Sequence, residues 1–169
     1  MTPNVNETPT DELTIRPATV DDAALVLSLI QELAHYERLA SEVVATEAML
    51  RETLFGERPA AEVLIAEEGG AAVGFALFFH NYSTFLGRAG IHLEDLYVRQ
   101  SHRGRGYGRA LLRRVAEIAQ GRECGRLEWS VLDWNEPAIR FYEKLGAVAM
   151  DDWTIYRVTG PTLARLADG

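Results

Sequence analysis

Two short stretches carry residue types able to do chemistry. The first is "RGRGYG", Arg103 to Gly108, in which glycines alternate with other residues and Arg109 follows. Glycines let a backbone approach an anion closely and turn successive N–H groups toward it, and a helix start adds partial positive charge. On its residues alone the stretch reads equally as a phosphate-holding loop or an ordinary basic turn. It is not a Walker A loop, because no Lys-Ser/Thr pair follows. Its G-x-G-x-G spacing is also a poor dinucleotide fingerprint. The second stretch is Glu94-Asp95, adjacent acids inside the apolar run "IHLEDLYV". Neighbours on a regular strand face opposite sides, so one acid is expected at the core edge and one in solvent. Tyr142, in "RFYEKLG", is by spacing a packed helix aromatic. His35, His80, His92 and His102 show no metal-ligand spacing, so no metal is expected.

Periodicity predicts the elements that position these residues. "LTIRPA" (13–18) reads as a strand ended by Pro17. Thr19 caps a helix running to Glu37, with Asp21 and Asp22 in its first turn and Leu25, Leu29 and Leu33 at helical spacing. A second helix covers 46–55. Residues 61–68 and 71–82 read as strands joined by a Gly69-Gly70 turn, and 90–98 as another strand. The glycine stretch opens an amphipathic helix over 108–120. Residues 125–133 read as a strand, and 135–146 as a helix capped by Asn135 and closed by Gly146. A final strand over 153–158 and a short helix over 161–167 complete an α+β (mixed α/β) order.

Composition narrows the class. A chain of 169 residues, 47% hydrophobic, suits one globular domain. No run of 18 apolar residues predicts a membrane span. Residues 1–12 are polar and acidic, unlike a signal peptide, and read as a flexible tail ahead of a domain over 13–169. Cys124 is the single cysteine, which excludes an internal disulfide and fits a cytoplasmic protein with a small buried thiol side chain. The formal net charge is −8, yet residues 1–70 hold fourteen acids against four arginines while 99–126 hold eight arginines against two acids. That asymmetry reads as two differently charged ligand regions, or as solvated faces. An acidic chain is a poor partner for nucleic acid.

At this point a family is visible. "RGRGYG", with "LEDLYV" before it and "DWNEPAIRFYEKLGA" after it, resembles the pyrophosphate loop and flanking motifs of the GCN5-related N-acetyltransferases. "TIRPAT", "LIQELAHYE" and "VLDWNEPAIRFY" are similar to the diamine (spermidine/spermine) and thialysine acetyltransferases, over about residues 13–158. The resemblance implies a central twisted mixed sheet, splayed between the "LEDLYV" and "RLEWSVL" strands and flanked by helices. It implies acetyl-CoA as donor, a small cationic amine as acceptor, direct transfer without an acyl-enzyme, and a homodimer; the acidic composition and the lack of an apolar span add the expectation of no nucleic-acid or membrane partner.

The resemblance also implies residue roles. Arg103, Gly104, Arg105, Gly106, Tyr107 and Gly108 would hold the pyrophosphate. The backbone of Leu96, Tyr97 and Val98 would pair with the pantetheine arm, and Asn135, Glu136, Pro137 and Ala138 would make a second CoA contact. Asn135 reads also as a helix cap. Tyr142 would protonate the departing thiolate, for which a phenol of pKa ~10 suits a thiol of pKa ~8.5. Glu94 would take the amine's proton or hold its cation. An alkylamine of pKa ~10.4 is only ~0.1% neutral at pH 7, so a deprotonation step is required. Tyr36, Glu37, Asp95, Glu128, Trp129 and Ser130 would contact the amine, while Trp134 and Trp153 wall the site or pack in the core. His35 stands where the animal diamine enzymes have lysine, and "VLDWN" is nearer the thialysine enzymes. A peptide amine as acceptor and a non-catalytic acyl-CoA-binding module are the alternatives.

Overall fold

The computed structural model describes residues 12–169; of the expected N-terminal tail, 1–11 lie outside the described residues. The chain divides into two compact units, one ending at Ser130 and the other spanning Val131–Gly169.

In the first unit the elements run β1 (Leu13–Pro17), α1 (Ala23–Tyr36), α2 (Glu47–Phe55), β2 (Glu62–Glu68), β3 (Ala71–Ser83), β4 (Arg88–Val98), α3 (Tyr107–Gly121) and β5 (Leu127–Trp129). The sheet order is β1-β2-β3-β4-β5, antiparallel through β4 and parallel between β4 and β5. A single 3-10 turn over Val20–Asp22 precedes α1. There the Asp22 carboxylate accepts from the Thr19 backbone N–H at 2.7 Å, so the expected start signal operates by reaching backward. Asp22 is also gripped by Arg16 at 2.8 and 2.9 Å, and Arg16 reaches Glu67 at 2.8 Å. Arg16 thereby ties β1, β2 and the entry to α1 together.

Each face of the sheet is apolar because each is covered. Val63, Ile65, Phe75, Leu77 and Tyr97 pack with Val26, Leu29, Leu33, Leu50 and Leu54 of α1 and α2. The alternate residues Leu64, Ala66, Ala76, Phe78, Ile91 and Leu93 are equally buried. They face the other way, toward α3, which packs on β3 and β4 and buries Leu111, Leu112, Val115 and Ala119. Burial on both faces explains why β2 and β3 read as continuous apolar runs.

One irregularity in β4 matters most. Leu93 lies opposite Phe78, but Asp95 lies opposite Leu77, so Glu94 is an extra residue in a β-bulge. Ile91 and Leu93 therefore face α3, whereas Asp95 and Tyr97, of the same parity, face α1. The β4–β5 pairing runs only from Ile91↔Leu127 to Leu93↔Trp129. Beyond it, Glu94–Val98 pairs with β3 alone among the described residues, which is the expected splay. The strand expected over 125–133 contracts to Leu127–Trp129 for the same reason.

The second unit holds α4 (Glu136–Lys144) and α5 (Gly160–Asp168). Asn135 caps α4 as expected, its Oδ1 accepting from the Ala138 N–H at 3.4 Å. The strand expected over 153–158 does not form; these residues have no regular structure. An extended segment gains its hydrogen bonds from a neighbouring strand, and residues 131–169 contain no other strand to supply them. Trp134 and Trp153 are exposed rather than core residues.

Candidate active site

The glycine turn leaves the end of β4 and opens α3. Gly104 has φ +78° and Gly106 φ +85°, and Gly106 is the residue that caps α3. Left-handed dihedrals at alternate positions require glycine. A Cβ built at either position meets nothing within 4 Å, so the requirement is conformational and the space above the turn is open. The first N–H groups of α3, at Tyr107, Gly108 and Arg109, have no partner inside the helix. The local geometry is thus that of an anion cradle.

The side chains around it are held from elsewhere. Arg105 pairs with Glu68 at 2.9 Å, the Tyr107 hydroxyl donates to the same carboxylate, and His102 Nε2 lies 3.4 Å from it. The Tyr107 hydrogen bond, then the charge of Arg105, hold the Glu68 carboxyl below its ordinary range despite partial desolvation. Glu68, at the end of β2, was not expected from the sequence; an acid before a Gly-Gly turn carries no signal of a partner in the chain's second half. Arg103 does not extend over the glycines. Its Nε donates to the Val98 carbonyl at 2.9 Å, and its guanidinium lies 4.2 Å from the centre of the Tyr36 ring and 5.6 Å from that of Tyr97.

The bulge gathers the acids. The expectation that Glu94 and Asp95 face opposite sides fails. Glu94 lies 3.6 Å from His92 Nε2, and His92 stacks on Phe79, which shares the α1 face with Leu77 opposite Asp95. An extra residue cancels the alternation, so both acids face the side where α1 ends. Asp95 is half-buried, and its carboxyl is raised to about 7 by desolvation first, then by the charges of Glu94 and Glu37. Burial likewise raises Glu37. Tyr36 and Glu37 sit where α1 terminates, Glu37 donating its N–H to the Leu33 carbonyl at 2.9 Å.

The remaining residues expected at the acceptor divide. Glu128 is on the Glu94 face, opposite His92, and accepts from Asn81 Nδ2 at 2.5 Å. Trp129 lies opposite Leu93 and so faces α3, away from the acids. Ser130 follows the end of β5. Leu96, Tyr97 and Val98 occupy the β4 segment that pairs with β3 alone among the described residues, and the Val98 carbonyl accepts from Arg103 Nε. In the second unit, Glu136 and Pro137 form the first turn of α4, Glu136 pairing with Arg140 at 3.0 Å, and the Tyr142 ring lies 5.2 Å from that of Phe141. Cys124 is half-buried. Among the described residues no group of three or more His, Cys, Asp or Glu converges as a metal site, and no helix is long and apolar enough to cross a membrane.

Comparison with known proteins agrees with this geometry. Residues 28–147 match the model of the acetyltransferase (GNAT) family. The chain is 39% identical to a thialysine N-epsilon-acetyltransferase of Bos taurus, over 90% of this chain and 96% of that protein. It is 34% identical to an L-ornithine N5-acetyltransferase of Arabidopsis thaliana, over 88% of this chain and 85% of that one. Among solved structures, an integron cassette protein from the mobile metagenome of V. cholerae superposes with a TM-score of 0.78 at 27% identity, covering 93% of this chain and 98% of its own. A glycine turn between β4 and α3, a sheet that splays beside it and these full-length similarities lead to one conclusion: the chain belongs to the GNAT acetyltransferase family and is an N-acetyltransferase acting on amines.

Proposed function

We propose that the protein transfers an acetyl group from acetyl-CoA to a primary amine of a small cationic acceptor, a diamine, a polyamine or a lysine-like amino acid. The observation that carries the acceptor class is the gathering of Glu37, Glu94 and Asp95 on one face at the end of α1. Like charges brought together in a partly desolvated site raise each other's proton affinity, and a substrate ammonium relieves that repulsion. The named relatives that act on thialysine and ornithine support the same class.

The residues present fit the donor. Gly104 and Gly106 leave open space over the first N–H groups of α3, and Leu96, Tyr97 and Val98 lie on a β4 segment whose outer edge pairs with no strand among the described residues, the Val98 carbonyl there accepting from Arg103 Nε. When bound, acetyl-CoA supplies an acyl group activated as a thioester. The chain's own part is to hold and to move protons. Asp95 and Glu37 anchor the cation, and Glu94 receives the proton the amine must lose. Backbone N–H groups of the β4 edge stabilise the developing oxyanion. Tyr142 gives its phenolic proton to the departing thiolate, and Asn135 to Ala138 add a second donor contact through the start of α4. The enzyme works as one catalytic domain over 13–169, as a homodimer, in the cytoplasm; the family resemblance and the single cysteine support this.

The test is turnover, followed as thiol released from acetyl-CoA, across diamines, polyamines, lysine, ornithine, thialysine and short peptides. Release with small cations is expected. Tight CoA binding without turnover on any of them overturns the assignment, and turnover on peptides alone moves the acceptor to protein amines.

A further inference from the structure

Glu68, the last residue of β2, meets the glycine turn from beyond β3. It shares a strand face with Leu64 and Ala66, which look toward α3. Between them and the end of β4, β3 places Gly74, paired with Ala66 on one side and Val98 on the other and carrying no side chain. Three side chains of the turn and its approach converge on the one carboxylate. Arg105 NH1 lies 2.9 Å from both oxygens, the Tyr107 hydroxyl donates to Oε1, and His102 Nε2 lies 3.4 Å from Oε2. His102 ends the short 3-10 turn before the glycines, Arg105 stands between Gly104 and Gly106, and Tyr107 is the first residue of α3. The acid therefore holds the chain before, between and after its two left-handed residues. Its side chain is 13% exposed against 52% for Arg105, so Glu68 is the fixed end of that pair. The glycines have no such anchor of their own. A Cβ at either would meet nothing within 4 Å, and glycine loses more backbone freedom on ordering than any other residue. Side chains held from outside the turn must supply its order.

Resting on the function proposed above, we propose that Glu68 is a positioning residue for the donor: through Arg105 and Tyr107 it braces the glycine turn in the form that presents the first N–H groups of α3 to the pyrophosphate. The ligands of the pyrophosphate remain those of the turn itself, Arg103 to Gly108. Glu68 acts through them, and its contribution is preorganisation, because a turn already ordered has little ordering entropy left to lose when the anion arrives. Its charge alone would do the reverse. A carboxylate beside a diphosphate site repels the ligand, so an acid acting by charge weakens donor binding. Arg105 offsets that charge at 2.9 Å, and what Glu68 adds is the set of contacts that fix the turn. The two roles have opposite signs when the acid is removed.

The test compares Glu68→Ala, which removes the brace, with Glu68→Gln, which removes the charge and keeps an oxygen that accepts from the Tyr107 hydroxyl. By calorimetry, the CoA dissociation constant rises about tenfold in Glu68→Ala and less than about threefold in Glu68→Gln. KM for acetyl-CoA rises with it, while kcat at saturating donor and amine KM change less than about twofold. In a double-mutant cycle, Glu68→Ala and Tyr107→Phe are non-additive in CoA affinity, because both break one hydrogen bond. Arg122→Met is the control for stability: it breaks the 2.8 Å pair with Glu62 at the start of β2 and leaves CoA affinity unchanged. Tighter or unchanged CoA binding in Glu68→Ala overturns the proposal, as do additivity in the cycle and an equal loss in Arg122→Met. If the wild type binds CoA but acetylates no amine, the functional reading has failed and calorimetry still decides the brace. If it binds no CoA, backbone order parameters of the ligand-free protein decide: those of residues 104–107 fall in Glu68→Ala, and equal values reject the brace.

Discussion

Asp95→Asn separates stability from substrate capture. The Asp95 carboxyl titrates near 7 in the fold against 3.8 for the free side chain, chiefly through desolvation and then through Glu94 and Glu37. The folded state therefore holds this proton more tightly than the unfolded chain. For such a group, stability is greatest below pH 4, is lost as pH rises from about 4 to 7, and stays lost above. A difference of about three pH units at 1.36 kcal/mol each makes the full loss up to about 4 kcal/mol. Asparagine matches the protonated acid in shape and never ionises. The variant should equal wild type near pH 4 and exceed it increasingly toward pH 8, with a melting temperature higher by about 2–4 °C per kcal/mol recovered. Capture of the amine moves oppositely. Wild-type Asp95 is roughly one-tenth ionised at pH 6 and nine-tenths at pH 8, so amine KM should fall by up to about ninefold across that range, and Asp95→Asn should flatten the fall and raise KM at pH 8. Urea unfolding at pH 5 and 8, with amine KM at pH 6, 7 and 8, measures both. A stability difference independent of pH, or a variant less stable than wild type at pH 8, would refute the assignment of a partly desolvated carboxyl set against two neighbours.

Gly106→Asp places a charged side chain at φ +85° above the turn, and CoA affinity measured by calorimetry should drop at least tenfold, by about 1.4 kcal/mol or more; unaltered affinity would remove the turn as the phosphate holder. Tyr142→Phe should lower kcat while leaving the CoA dissociation constant unchanged, and an unchanged kcat would remove the phenol as the acid. Arg16→Met should free Asp22, whose carboxyl Arg16 holds at about 2. A depressed carboxyl stabilises above pH 4 and loses that contribution as pH falls toward 2. Because the Arg16 side chain is 37% exposed, the loss at pH 7 is discounted for solvent screening to about 1 kcal/mol, and it should vanish in denaturation curves near pH 2.

Residues close in sequence decided much of this protein. Alternating glycines can open a left-handed turn with no help from elsewhere, because dihedral preference is local. Asn135 caps α4 through a contact three residues long, and Leu111, Val115 and Ala119 face one way because a helix has a fixed period. The family motifs are made of such segments, so the element order as far as α4 and the left-handed glycine turn were legible in the chain. What tertiary structure decided lies where partners are distant. The alternation rule put Glu94 and Asp95 on opposite faces; the register against β3 inserts one residue and turns both toward α1, and register belongs to the pair of strands. Glu68 reaches Arg105 across thirty-seven positions, and Arg103 turns back onto Tyr36 because that ring and the Val98 carbonyl meet there in the fold. The segment over 153–158 shows the same limit: its β-branched and aromatic side chains suit a strand, but hydrogen bonds come from a neighbour that residues 131–169 do not contain.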